Sequence, residues 1–396
     1  MRKILSMISG ICFVIGLLLF TKGFFLTRFE IQTFSRCDTK PNGEKIFDTR
    51  NEVERRRKNC WMNRRYDKAV IILVDGLRYD FVASSLSDHS FEKTTTKAYE
   101  NRMPIFERLL SKHPERSVLY RFVADPPTVT MQRLKGLLTG GLPTFIDIRK
   151  NFAGTELSED NLVSQLVRSG RRIVFMGDDT WTKLFPSNFF WRKYPFPSFD
   201  VKDLDTVDLG VAKHLIPEMK RNDFDVLVAH TLGVDHVGHR YGPDHPEMKV
   251  KLSRTNDLIE DAIEALDQNT LLVVFGDHGM TKDGNHGGAS PEETGSALFM
   301  YTKEKRLHHN NIISEEERVV SQVDIVPTLA LLLGIPIPFG SLGSILPDLL
   351  YGDTLEKALD LNVAQVWTYL KTYVVSLSLS LSLLTATLSN VRTHIL

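Results

Sequence analysis

The stretch Leu271-Leu-Val-Val-Phe-Gly-Asp-His-Gly-Met280 decides how the chain is read. Its first half is a short continuous apolar run, the pattern of a strand buried on both faces of a parallel sheet. Its second half puts a carboxylate and an imidazole, Asp277 and His278, side by side where that strand gives way to a loop. In open α/β sheets, ligands bind at the carboxyl ends of strands. Asp-His-Gly alone is a weak signal, because turns are rich in Asp and Gly. Other parts of the chain strengthen it. Val70-Ile-Ile-Leu-Val74 is a second apolar run that ends in Asp75-Gly76, and Thr130 closes the loop Pro126-Pro-Thr-Val-Thr130. Asp235 and His239 follow the apolar segment 225–229, and His286 opens onto Gly287-Gly288. Taken singly, each has an ordinary reading as a turn cap, a surface histidine or a loop residue. Taken together, a mixed Asp, His and Thr set at strand ends suits zinc, in a site where two metal ions clamp the attacking and leaving oxygens of a displacement at phosphorus.

Around these runs, strands alternate with helices. Residues 118–123 and 172–176 read as strands; 103–110, 131–138, 156–169, 249–266 and 325–333 read as helices. That alternation predicts an α/β fold with a mainly parallel sheet flanked by helices. The expected organisation is an N-terminal transmembrane signal anchor (1–26), a linker (27–67), a catalytic domain (68–350) and a C-terminal tail (351–396). The tail holds strict Ser-Leu alternation over Ser376–Leu383, a low-complexity stretch that as a strand has no partner in view.

Composition narrows the classes. The 49 Lys and Arg balance 49 Asp and Glu. With no basic excess to neutralise phosphates, no nucleic-acid partner is expected. The run Arg55-Arg-Arg-Lys58 reads as a solvated linker face. Ile4–Phe20 is almost wholly apolar, and with the residues that follow it approaches the ~20 needed to span a bilayer. It lacks a clear small-residue cleavage site, so an uncleaved membrane anchor is expected. Charges flank both of its ends, and orientation is left open. Cys37 and Cys60 either pair, which would suit a lumenal environment, or remain two thiols.

At this level of detail a family resemblance is close. Val74-Asp-Gly76, the Pro-Thr-x-Thr loop, Asp235-x-x-x-His239, Gly276-Asp-His-Gly279 and His286-Gly resemble the alkaline phosphatase superfamily in its nucleotide-pyrophosphatase/phosphodiesterase-like branch. The segment Asp125–Gly140, with Gly177-Asp-Asp-Thr-Trp181 and Val323–Gly334, is similar to the ethanolamine phosphate transferases of GPI-anchor synthesis, nearest the one that acts on the third mannose. The resemblance covers about residues 1–370.

It implies an alkaline-phosphatase-like domain facing the endoplasmic reticulum lumen from a membrane anchor, with two zinc ions. One would be held by Asp75, Thr130, Asp277 and His278, the other by Asp235, His239 and His286. Thr130 would be the nucleophile, with Thr128 the alternative, and Gln132, Asp178 and Asp179 would contact substrate. The implied reaction takes phosphoethanolamine from phosphatidylethanolamine onto Thr130 and passes it to a mannose of the GPI glycolipid, a ping-pong course. A small membrane partner subunit is a further implied component. Members of the family continue into a long polytopic membrane region, whereas this sequence ends at Leu396. The expectation is therefore a domain with intact ligands but without the surface that receives the glycolipid. A phosphodiesterase that passes the same intermediate to water is the nearest rival, and an inactive lumenal binding module is another. A sulfatase is disfavoured, because no Cys or Ser replaces Thr130 in a Cys-x-Pro-x-Arg setting.

Overall fold

The computed structural model describes residues 2–24, 30–45, 60–83, 97–142, 156–308 and 318–393. The two apolar runs form adjacent strands. Strand β1 (Lys68–Val74) pairs in parallel with β5 (Val226–Thr231) on one side and with β6 (Thr270–Phe275) on the other. Beyond β5 lie β3 (Ile173–Asp178) and then β4 (Arg192–Phe196), both parallel to it. Beyond β6 the sheet turns antiparallel at β7 (Gly295–Tyr301), which pairs with β2 (Ser117–Val123), and β8 (Val319–Ser321) closes the edge. The order is β4-β3-β5-β1-β6-β7-β2-β8.

Continuous apolar runs are needed here because both faces of the sheet are covered. Alternate side chains of β1 enter different cores: Ala69 and Leu73 join one, while Val70, Ile72 and Val74 join the other. Burying each such Val, Leu or Ile contributes about 1.5–3 kcal/mol relative to leaving it exposed. The first core is lined by helices α4 (Thr130–Thr139), α5 (Leu162–Arg168) and α10 (Ile325–Leu332). The second is lined by α3 (Pro104–Lys112), α7 (Thr206–Arg221) and α9 (Pro246–Ala265). The expected helix over 156–169 begins only after Asn161, whose side chain caps the backbone of Ser164.

The residues read as a linker are not one where they are described. Cys60, Trp61, Met62 and Tyr66 are buried in the first core, and Cys37 is bonded to Cys60. Trp61 Nε1 donates to the carbonyls of Arg36 (2.9 Å) and Thr39 (3.0 Å), which ties the 30–45 segment to the domain. The basic run 55–58 lies outside the described residues. The tail, whose structure the sequence leaves open, is helical: Asp353–Thr393 is one helix, α11, and the Ser-Leu repeat lies inside it. A lone strand would leave its backbone groups unpaired, whereas a helix satisfies them within the segment. Ala358, Leu361 and Tyr369 fix its first half to the domain.

Arg2–Phe24 forms helix α1, with Ile4, Phe13 and Leu19 more than half exposed. Among the described residues no helix is long and apolar enough to cross a membrane. The fold does not by itself establish the expected anchor.

Candidate active site

The ligand candidates meet at one end of the sheet because four neighbouring strands, β3, β5, β1 and β6, run parallel and end together. Asp75 follows β1, Asp277 and His278 follow β6, and Asp235 and His239 lie one turn apart on helix α8 (Gly233–Tyr241), which starts just after β5. Gly76, at φ +70°, turns the chain away from β1, and its N–H donates to Asp277 Oδ1 at 3.2 Å. A side chain there would press on Met280 and on Asp235 itself. The β3–β5 seam is equally tight: a Cβ on Gly177, at φ +125°, would stand 2.0 Å from the His230 carbonyl oxygen.

Two overlapping groups result. Asp235, His239 and His286 offer donor atoms within 4.8 Å of one another, and so do Asp75, Asp235 and His278. His286 Nε2 is 2.9 Å from His239 Nε2 and 3.5 Å from Asp235 Oδ1. His278 Nε2 is 3.2 Å from Asp75 Oδ1 and 3.3 Å from Asp277 Oδ2. Thr130, the first residue of α4, places its Oγ1 3.4 Å from Asp75 Oδ2 and 3.3 Å from His278 Nε2. All seven sequence-predicted ligands are thus brought together, with Asp235 between the two groups.

The donor set fits cations on the chain's own geometry. His286 Nδ1 donates to the Thr128 carbonyl (2.6 Å) and His278 Nδ1 to the Gly279 carbonyl (2.9 Å), which turns both Nε2 atoms into the site. Asp75 Oδ1, Asp235 Oδ1 and Asp277 Oδ2 are buried without any hydrogen bond. Each has an imidazole nitrogen at 3.2–3.5 Å that makes no well-aligned hydrogen bond to it, and because buried polar atoms are nearly always paired, these oxygens suit a cation.

The titration of the site has the same origin. Burial and the Asp75 charge push Asp277 up to about 6 and lift Asp235 well above the carboxylate range. Asp75 resists burial through its hydrogen bonds and charge contacts with His230 and His278, which hold it well below that range. Burial opposes a charge on His278, yet Asp277 and Asp75 raise it to about 10. Without metal, a proton thus takes a cation's place. Burial and the His278 charge lower His286 to about 3, leaving it neutral as a ligand must be.

The other expected residues divide. Thr128 is fully buried, donates to the Gly288 carbonyl (2.9 Å) and accepts from Gly287 N–H (2.8 Å); it fastens the His286 loop and does not face the donor groups. His236, between Asp235 and His239 on α8, donates from Nδ1 to the Asp203 carbonyl (2.8 Å) while also lining the cavity beside them. Gln132, Asp178 and Thr130 line one cavity of about 580 Å³ with Asp75, Asp235, His239 and His286, whereas Asp179 reaches it through Ser198. The sequence reading missed His230. It sits inside β5, fully buried, with Nε2 3.3 Å from Asp75 Oδ2 and Nδ1 accepting from Trp181 Nε1–H at 3.1 Å. Since the indole is only a donor, the imidazole proton is on Nε2 and holds one Asp75 oxygen, freeing the other for the site. A histidine interrupting an apolar strand was the available signal.

Parallel strands that end in such a donor set define the class. The fold matches that of the wild-type alkaline phosphatase PafA, with a TM-score of 0.52 over 73% of this chain and 100% of that chain at 13% identity. Residues 160–288 match the model of the type I phosphodiesterase / nucleotide pyrophosphatase family, and 246–335 match the sulfatase model. The fold is thus alkaline-phosphatase-like. Among proteins of known name, the chain is 45% identical over 94% of its length to the human protein named GPI ethanolamine phosphate transferase 3, catalytic subunit. It is 43% identical over 90% of its length to the transferase 3 of Schizosaccharomyces pombe, covering 38% of that protein. The human transferase 2 catalytic subunit is 38% identical over 74% of the chain. The sequence belongs to the GPI ethanolamine phosphate transferase family, and it spans about a third of the length of the transferase 3 relatives it matches.

Proposed function

We propose that this chain carries the catalytic domain of a transferase that moves phosphoethanolamine from phosphatidylethanolamine to a mannose, the third, of the GPI precursor. The observation that carries the reading is Thr130 Oγ1 at 3.4 Å from Asp75 and 3.3 Å from His278, a hydroxyl at the meeting point of ligand candidates. Two zinc ions, held by Asp75, Thr130, Asp277 and His278 and by Asp235, His239 and His286, would supply Lewis-acid stabilisation of the charge that develops on the phosphoryl oxygens. The remaining chemistry belongs to the chain. Thr130 Oγ1 forms a bond to phosphorus as the bond to the diacylglycerol oxygen breaks, and the hydroxyl proton ends on that departing oxygen. The mannose hydroxyl then takes the phosphoethanolamine group, and the proton it loses returns to Thr130. His230 keeps Asp75 oriented throughout. The cavity's apolar wall, with Val129, Met131 and Leu232, suits a lipid donor.

Supporting observations extend to the setting. The Cys37–Cys60 disulfide suits the lumen of the endoplasmic reticulum. The uncharged run Ile4–Phe20, with Ile4, Phe13 and Leu19 exposed along α1, supports attachment to that membrane. The human relative's name, a catalytic subunit, supports a further subunit. The test is transfer of labelled ethanolamine phosphate from phosphatidylethanolamine to a synthetic trimannosyl GPI lipid. Product with the wild type and none with Thr130→Ala is expected. Release of free phosphoethanolamine without mannolipid product would replace the transferase by a hydrolase.

A further inference from the structure

One wall of the same cavity is not explained by phosphoryl chemistry. It is built by the segments that follow β3 and β4. Lys183, on the short helix Thr180–Leu184, lies with its Nζ 4.1 Å from the ring centre of Phe199 and 3.2 Å from Asp179 Oδ1. Ser198 Oγ donates to the same Asp179 oxygen at 2.8 Å and so fixes the carboxylate. Lys183, Ser198 and Phe199 all line the cavity that holds Thr130 and the ligand candidates. Phe199 is 73% exposed. Its ring serves no core; it stands open in the cavity with an ammonium on its face.

We propose that Asp179, Ser198 and Phe199 form a subsite for the primary ammonium of the phosphoethanolamine group, and that Lys183 fills it in the absence of substrate. This rests on the transfer reading above. A cation on an aromatic face and an exposed ion pair are each weak contacts, so a tethered lysine is readily displaced by an equivalent group. The exchange is neutral in charge, one ammonium for another. The subsite is also close to the reacting centre. Asp178, next to Asp179, places Oδ2 3.7 Å from His230 Nδ1, and the opposite nitrogen of that ring meets Asp75. Ser198, Phe199 and Thr130 share one cavity, as a headgroup with nitrogen and phosphorus two carbons and one ester oxygen apart requires. A quaternary choline would keep the contact with the ring but has no N–H for Asp179.

The test is calorimetric titration of the zinc-loaded full chain in detergent with glycerophosphoethanolamine and glycerophosphocholine. The wild type is expected to bind the first about two- to fivefold more tightly. Asp179→Asn and Phe199→Ala should each weaken it about two- to fivefold, and Asp179→Asn should leave the choline compound unchanged. Lys183→Met should tighten glycerophosphoethanolamine by removing the internal competitor. Unchanged affinity in Asp179→Asn and Phe199→Ala, binding of neither compound by the wild type, or a large loss in Lys183→Met would overturn the subsite. Formation of the Thr130 adduct separates the two readings. Ligand binding that depends on Asp179 without any adduct keeps the subsite and removes the transfer reaction. An adduct whose donor dependence ignores Asp179 and Phe199 does the reverse.

Discussion

Asp160 and the carboxylates at the strand ends are all buried, yet they are built for opposite purposes. Asp160 is satisfied on every side. Its Oδ2 accepts from the backbone N–H of Ser35 and of Phe339, both at 2.8 Å, and its Oδ1 from Gln165 Nε2 at 2.7 Å. It pins the disulfide-bonded N-terminal segment and the 339 loop to α5. Asp75, Asp235 and Asp277 each keep an orphaned oxygen and face one another. The fold completes one carboxylate by itself, whereas the others keep oxygens that the proposed metal ions would complete. That contrast separates a structural acid from a functional one better than burial does.

The contrast breaks most visibly at Thr130, the proposed nucleophile. Thr130→Val should lower turnover by on the order of 10³-fold or more while leaving the melting temperature within a few degrees, as expected for removal of a reacting group. Thr128→Val should act on stability, by about 1–3 kcal/mol, because two buried bonds to the His286 loop are lost. Equal effects of the two changes, in steady-state assays and thermal melts, would contradict the assignment.

Next in size are the carboxylates themselves. Asp160→Ala should destabilise the chain by about 3 kcal/mol, since buried donors on Ser35, Phe339 and Gln165 lose their acceptor. Asp277→Asn in metal-free protein should be neutral or stabilising. The sign follows from Asp277 standing at about 6 when folded: its contribution to stability is present below the unfolded value, near 4, and is lost as pH rises through 6. The metal-free wild type should therefore lose stability between pH 4 and 6 more steeply than Asp277→Asn does, as denaturant melts would show. Addition of zinc should reverse this in the wild type alone. A metal-free wild type whose stability is flat over that range would count against the crowded-carboxylate picture.

A smaller effect sharpens the account of orientation. His230→Phe removes the hydrogen bond to Asp75, and loss of such a supporting bond to a ligand typically costs 10–100-fold in metal affinity. Competition with a chromophoric chelator should show that loss, with His230→Asn partly restoring it. Reduction of the Cys37–Cys60 bond should cost about 2–4 kcal/mol of stability and leave the metal affinity of the domain unchanged.

Much of this was legible in the sequence for physical reasons. A strand buried on two faces must be continuously apolar, so β1 and β6 announce themselves, and their terminal acids with them. Asp235 and His239 are four residues apart, the spacing that puts both on one helix face. Strand order was not legible, because pairing β1 between β5 and β6 depends on contacts distant in the chain. His230 escaped notice because its role exists only through Trp181 and Asp75, from two other elements. Helix α7 contains Pro217, which as a sequence signal argues against a helix it does not in fact end. The Ser-Leu repeat has the period of a strand, but it extends a helix already running from Asp353.

The most direct measurement is the intact mass of the zinc-loaded full chain after exposure to phosphatidylethanolamine without acceptor, beside Thr130→Ala. The account predicts one added phosphoethanolamine on the wild type, lost on addition of a mannosyl acceptor, and none on the variant. An adduct of equal yield on Thr130→Ala, or donor consumed by the variant at the wild-type rate, would contradict it.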